Sequence, residues 1–214
     1  MYIILKRTED ILMAIAVLIF TLPIMLLTAI SLRLSGISPV MFFQTRSGKG
    51  GKPFKIYKFR TMTDERDADG NLLPDELRAT KFGRIVRKLS LDELPQVLNV
   101  LKGDMSFVGP RPLFMEYNKM YSDKHRRRLD VLPGITGYTA VHGRSDIPFS
   151  RRFDMDVFYV DNASFLLDNK IIFMTFIAVF LSKGSPEVTD IDKIDDLGFI
   201  KRMKEETKNG NSPL

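Results

Sequence analysis

With 32 lysines and arginines against 26 acidic residues, this 214-residue chain carries a formal charge of +6. That suits an anionic partner such as lipid headgroups, a nucleotide diphosphate or nucleic acid. It has no cysteine, so disulfides, cysteine-based zinc sites and a cysteine nucleophile are excluded, and its two histidines, His125 and His142, are too few for a histidine metal cluster.

The first element is an apolar run over residues 11–32 without a charged residue. As a helix it would be ~33 Å long, enough to cross a bilayer. Pro23 sits at its midpoint, where it removes a backbone donor and pushes away the carbonyl four residues back. In hydrocarbon a freed carbonyl is costly unless something answers it, and the Thr21 hydroxyl is a candidate. A helix broken at its centre can enter a membrane, turn and leave on the same face. Lys6 and Arg7 on one flank, with Arg33 and Arg46 on the other, fit that re-entrant arrangement better than a crossing. A spanning helix with a tolerated proline is the main competing reading. A cleaved secretory signal is disfavoured, because Arg33 and Leu34 offer no small-residue cleavage site.

Residues 35–39 read as a turn and 40–44 as a short strand. Gly48, Gly50, Gly51 and Pro53 make a loop flanked by Arg46, Lys49 and Lys52. Residues 54–62 alternate, which predicts a strand with Lys58 and Arg60 on one face. A charged loop over 64–75 leads into a helix over 75–87. Leu91, Leu94, Leu98 and Leu101 recur at helical spacing until Gly103 stops the helix. Residues 107–112 predict a rigid loop, 114–129 a helix with a very basic end, 133–137 a turn and 153–159 a helix. The apolar stretch 171–181 is too short to span, so it packs in a core or lies at a membrane interface. The whole reads as mixed α/β: a compact, mostly helical cytosolic domain with a few short strands, on an N-terminal re-entrant, Pro-kinked membrane helix. The expected divisions are the membrane helix over 1–33, the folded domain over 34–188 and a charged, mobile tail over 189–214.

Three stretches could carry chemistry. In Ser90-Leu91-Asp92-Glu93-Leu94-Pro95-Gln96, Ser90 with Glu93 three residues on is a capping-box pattern, although Pro95 would start the helix later. The same helix start favours ionised carboxylates and attracts phosphate, and adjacent Asp92 and Glu93 would project roughly 100° apart on an α-helix and could divide two roles. In Gly109-Pro110-Arg111-Pro112 two prolines fix the backbone around an arginine suited to bidentate phosphate contact, or simply to a structural turn. The remaining basic positions are Lys58, Arg60, the run 124–128 and Arg144; that run could be a solvated face or rest against anionic headgroups.

Taken in order, these stretches make the chain resemble the bacterial sugar transferase family, the small monotopic phosphoglycosyl transferases that start glycan assembly. The most specific block is residues 87–113, RKLSLDELPQVLNVLKGDMSFVGPRPL, supported by KIYKFRTM at 55–62, PGITG at 133–137 and YVDNASFLLD at 159–168. The resemblance implies transfer of a sugar-1-phosphate from a UDP-sugar to undecaprenyl (polyprenol) phosphate with release of UMP. By carry-over, Asp92 is the nucleophile that forms a covalent phosphosugar intermediate, and Glu93 assists the second half as base for the incoming lipid phosphate. Magnesium, a hard cation matched to Asp92, is the implied cofactor. Lys58, Arg87, Arg111 and Arg144 match the family's basic positions and would hold the phosphates, with Asp168 positioning those cations. The implied location is the bacterial inner membrane, with the catalytic domain on the cytoplasmic face and Pro23 breaking the membrane helix.

Leu22 stands where several relatives place serine, and Tyr138 and His142 where the family often has tryptophan and asparagine. The latter two bear on the sugar, for which a UDP-linked acetamido sugar, including the bacillosamine type, is the expectation. Rival readings are a non-catalytic membrane adaptor of polysaccharide assembly and a true glycosyl transferase, which would release UDP. A nucleic-acid binder is disfavoured, since no recognised nucleic-acid motif is present.

Overall fold

The structure, a computed structural model, describes residues 1–143, 147–181 and 194–202. Two compact units divide the chain: one takes residues 1–8, 45–54 and 103–214, the other residues 9–44 and 55–102.

The first helix, α1 (Tyr2–Leu34), is a single helix of 33 residues with Pro23 inside it. Its most apolar stretch has a mean hydropathy of 2.7, and Leu12, Ile19, Phe20, Leu26 and Leu27 are exposed. A helix this long, apolar and uncovered is suited to lipid rather than water. The Thr21 hydroxyl, expected to answer the carbonyl freed by Pro23, instead donates to the Val17 carbonyl at 2.7 Å. That is the ordinary back-bond of a helical threonine.

Within the second unit, the end of α1 packs Leu32 against Ile37, Phe59 and Val86, with Met25, Ala29, Phe82 and Leu91 around them. Strands β1 (Met41–Ser47) and β2 (Pro53–Phe59) pair in a two-stranded sheet, and a connection this short returns the chain antiparallel. The single helix expected over 75–87 is two, α2 (Asp75–Arg78) and α3 (Lys81–Lys88). Thr80 separates them: it takes extended geometry, and its hydroxyl accepts the Gly83 N–H at 2.9 Å as an N-cap. Gly83 is required there, because a Cβ would meet the Thr61 carbonyl oxygen at 2.1 Å. A 3-10 helix (Leu91–Gln96) then runs into α4 (Val97–Lys102), and Gly103, at φ 92°, ends it as expected.

The first unit contains a second small sheet. Strand β3 (Ser106–Val108) runs parallel to β4 (Gly134–Thr136), pairing Ser106 with Gly134 and Val108 with Thr136. Residues 133–137 are therefore mainly a strand rather than the expected turn. The glycines of both stretches serve close backbone approach: a Cβ on Gly109, Gly134 or Gly137 would lie 2.2–2.3 Å from facing backbone atoms. The expected helix over 114–129 is broken into a 3-10 turn (Met115–Lys119), the short α5 (Asp123–Arg126) and a second 3-10 turn (Arg127–Leu129). Ser122 causes the break by capping α5, its hydroxyl accepting from the His125 N–H.

After α6 (Tyr138–His142), the long α7 (Phe149–Asn162) collects the basic run. Lys124 and His125 pair with Asp154, Arg127 with Asp161 and Arg128 with Asp156. These side chains are thus paired with α7 acids, while Lys124 and Arg127 remain exposed at the surface. An aromatic core of Tyr117, Tyr121, Phe149 and Phe153 also takes in Ile194 and Phe199. Part of the stretch expected to be a mobile tail is therefore packed. Finally, α8 (Phe165–Leu181) buries Ile171 against Val108 and Tyr159 while leaving Leu166, Phe173 and Phe176 exposed. The chain is mostly helical with few short strands, as expected.

Candidate active site

Asp92 and Glu93 lie in the 3-10 helix that follows α3, so they project about 120° apart, not the 100° of an α-helix. The expected capping box is not formed. Ser90 sits in the left-handed region, at φ 54° and ψ 22°, and its side chain caps nothing. Among the described residues it is the one non-glycine residue with positive φ. Such strain, of order 1–3 kcal/mol, concentrates at functional sites. The Glu93 side chain is thereby available for another partner. Lys58, from β2, donates to its Oε1 at 2.7 Å, both groups being about one-fifth exposed. Arg60, from the same chain segment, pairs with Asp64 instead.

Asp92 is half-buried, and that burial pushes its carboxyl above the ordinary aspartate range. Lys58 pulls it back, Glu93 pushes it further up, and its own backbone N–H and Arg87 lower it. Arg87 lies exposed at the end of α3, with Nη1 3.5 Å from the Met62 sulfur. The structure thus brings Lys58, Asp92 and Glu93 together, with Arg87 near enough to bear on Asp92. The sum is a partly desolvated carboxylate in a cationic setting, the arrangement a nucleophile toward a phosphate needs.

Arg111 belongs to the other unit, in the extended stretch after β3, and is exposed. It lines a small pocket with Ser47, Gly48, Pro110, Pro112 and Pro133. Its backbone is held from beneath: the buried Arg128 donates to the Arg111 carbonyl at 2.8 Å, to Asp156 at 2.8 and 3.0 Å and to the Tyr121 hydroxyl at 2.9 Å. Asp168, expected to position phosphate-binding cations, is buried and engaged elsewhere. It accepts from the Tyr2 hydroxyl and the Lys6 ammonium, each at 2.8 Å, and from the Tyr159 hydroxyl at 2.7 Å. It thereby ties the first turns of α1 to α8. Arg144 lies outside the described residues.

Residues 1–182 match the family model described as bacterial sugar transferase. The chain belongs to that family. It is 55% identical over 188 residues to the uncharacterized sugar transferase EpsL of Bacillus subtilis (strain 168), covering 88% of this chain and 93% of that protein. It is 39% identical to a UDP-N-acetylgalactosamine-undecaprenyl-phosphate N-acetylgalactosaminephosphotransferase of Aeromonas hydrophila, over 86% of this chain and 45% of the other. It is likewise 39% identical to a UDP-glucose:undecaprenyl-phosphate glucose-1-phosphate transferase of Klebsiella pneumoniae, over 84% of this chain and 41% of the other. The chain is accordingly a sugar transferase.

For such an enzyme a divalent cation is a natural question. Among the described residues, no cluster of three or more histidines and acids is gathered to cage one. Magnesium ordinarily takes one or two carboxylates and completes its shell with substrate phosphates and water. Asp92 is a single half-buried carboxylate of that kind. Sequence reasoning missed two residues of this transferase. Asn99 is wholly buried in α4, and its only sequence signal is an amide within the apolar stretch Val97-Leu98-Asn99-Val100-Leu101. Arg128 was hidden inside a charge run that resembled a solvated face.

Proposed function

We propose that this sugar transferase moves a sugar-1-phosphate from a UDP-sugar to undecaprenyl phosphate, releasing UMP, as the first membrane step of glycoconjugate assembly. The observation that carries the reading is the half-buried Asp92 beside the Lys58–Glu93 pair, in a chain whose relatives include transferases named for this reaction. An Asp92 oxygen attacks the phosphorus that bears the sugar. The bond from that phosphorus to the bridging oxygen breaks, and the electron pair leaves with UMP. A phosphate oxygen of the lipid then attacks the same phosphorus, with Glu93 as base, and frees the Asp92 carboxylate. Lys58, Arg87, Arg111 and Arg144 hold phosphate oxygens through both displacements. Magnesium, when bound, neutralises diphosphate charge, with Asp92 supplying its protein oxygen.

The donor is taken to carry an acetamido sugar, a reading supported by the relative named for N-acetylgalactosamine, with the glucose-1-phosphate transferase marking the alternative. The chain acts at the cytoplasmic face of the inner membrane, where a lipid phosphate meets a cytosolic nucleotide. There α1 enters and leaves on one side by bending at Pro23, within its one helical span. The exposed apolar length of α1 and the cations at both of its ends support this topology. The covalent step is tested by incubating the protein with UDP-sugar and Mg²⁺ without lipid phosphate, then measuring intact and peptide masses. A sugar-phosphate adduct on the peptide containing Asp92, absent from Asp92→Asn, is expected. Rapid UMP release with no adduct at any time point would contradict a covalent route.

A further inference from the structure

Asn99 has no place in the chemistry just described, yet it is the most completely buried polar side chain close in sequence to the acidic pair, at 0% exposure. Burying an amide in an apolar layer is costly unless its donor and acceptor are both answered. Here they are. The side-chain oxygen accepts the Tyr57 N–H at 3.0 Å, and the side-chain nitrogen donates to the Lys55 carbonyl at 2.7 Å. These are the alternate backbone groups that a neighbouring strand would take up on that edge of β2. The opposite edge of β2 is paired with β1. A sheet of two strands is marginal by itself, so this amide does the work of a third strand.

We infer that Asn99 is a positioning residue that clamps the Lys58 strand to the helical segment carrying Asp92 and Glu93, and so fixes the Lys58–Glu93 pair. The connections close on themselves. Asn99 follows the dyad in one continuous helical run, Leu91–Gln96 into Val97–Lys102. It grips the backbone at Lys55 and Tyr57; Lys58 comes next, and its ammonium reaches back to Glu93 at 2.7 Å. Without the amide, β2 can slide or twist against α4, and Lys58 loses its fixed reach. A carboxylate in its place still accepts from Tyr57 but cannot donate to the Lys55 carbonyl.

The role in transfer rests on the proposed function, whereas the clamp itself does not, and two readouts on the full chain in detergent separate them. The first is acylation of lysines by an N-hydroxysuccinimide ester, followed by peptide mass spectrometry, with the exposed Lys55 as internal reference. Asn99→Asp and Asn99→Leu should raise Lys58 labelling several-fold relative to Lys55; unchanged labelling in folded variants would overturn the clamp. The second readout is UMP release. Each variant should lower kcat about tenfold or more with little change in KM for the UDP-sugar. That loss should largely vanish in a Lys58→Gln background. Additive losses there would mean that Asn99 acts only on the fold. If Asn99→Leu fails to fold, the near-isosteric Asn99→Asp carries both readouts. Wild-type protein that releases no UMP would overturn the transfer role and the functional reading together, leaving the labelling to decide the clamp.

Discussion

Ser90, in its left-handed conformation, and Asp92, two positions later, show how a short strained turn sets the burial of a carboxyl. The turn sends the chain into a 3-10 helix that half-buries Asp92 and sends Glu93 to Lys58. Because burial raises the Asp92 pKa, the ionised carboxylate that the proposed transfer uses as nucleophile is present above that raised value and lost as pH falls through it. The acid limb of kcat/KM should therefore lie above the range of an exposed aspartate. Lys58→Met removes an influence that lowers the Asp92 pKa and should move the limb further up; Glu93→Gln removes one that raises it and should move the limb down. A pH–rate profile of the three proteins checks both signs, and a limb that stays put in both variants would disconnect Asp92 from the titration. At this scale the acidic pair was legible from its motif, but its geometry was not. The capping-box pattern at Ser90 and Glu93 is a local preference, and the Lys58 ion pair overrides it. Asn99 was illegible for a different reason: an amide that substitutes for a β-strand leaves no periodic trace.

Among the elements, the β3–β4 pair and the layer beneath it hold Arg111 in place. Gly109, Gly134 and Gly137 let two backbone stretches pack where any side chain would collide. Below them Arg128 and Asp156 form an ion pair that is almost completely buried, with the Thr139 hydroxyl donating to the second Asp156 oxygen at 2.7 Å. Burial opposes the Arg128 charge, but Asp156 and the Tyr121 hydroxyl together more than offset it, so the guanidinium is held more firmly protonated than usual. Arg128→Met leaves a buried carboxylate alone and should cost about 3–5 kcal/mol in thermal or denaturant unfolding. Arg128→Met combined with Asp156→Leu should recover most of that stability, because neither charge is then stranded. Recovery of nothing by the double variant would show that the pair's hydrogen bonds, not its charges, carry the stability. Sequence patterns located most of these elements but misjudged their continuity. Thr80 and Ser122 each stop a helix that spacing alone would continue, and strands of three residues are too short to reveal their parallel pairing.

For the whole molecule, the long apolar helix was plain from composition, and the structure adds its continuous helical span from Tyr2 to Leu34. Its start is fastened to α8 through Asp168, a role that motif order could not disclose. The absence of native cysteine makes topology directly measurable. Single cysteines at Ile3 and Ser35 should both react with an impermeant maleimide in inverted membrane vesicles and neither in spheroplasts. Opposite behaviour at the two ends would mean that α1 crosses the membrane. The chemistry itself is tested most directly by the nucleotide released when purified protein, Mg²⁺, undecaprenyl phosphate and a panel of UDP-sugars are combined, with Asp92→Asn alongside. UMP from the wild type and none from the variant is the expected result. UDP in its place, or UMP release that survives Asp92→Asn, would contradict phosphosugar transfer through Asp92.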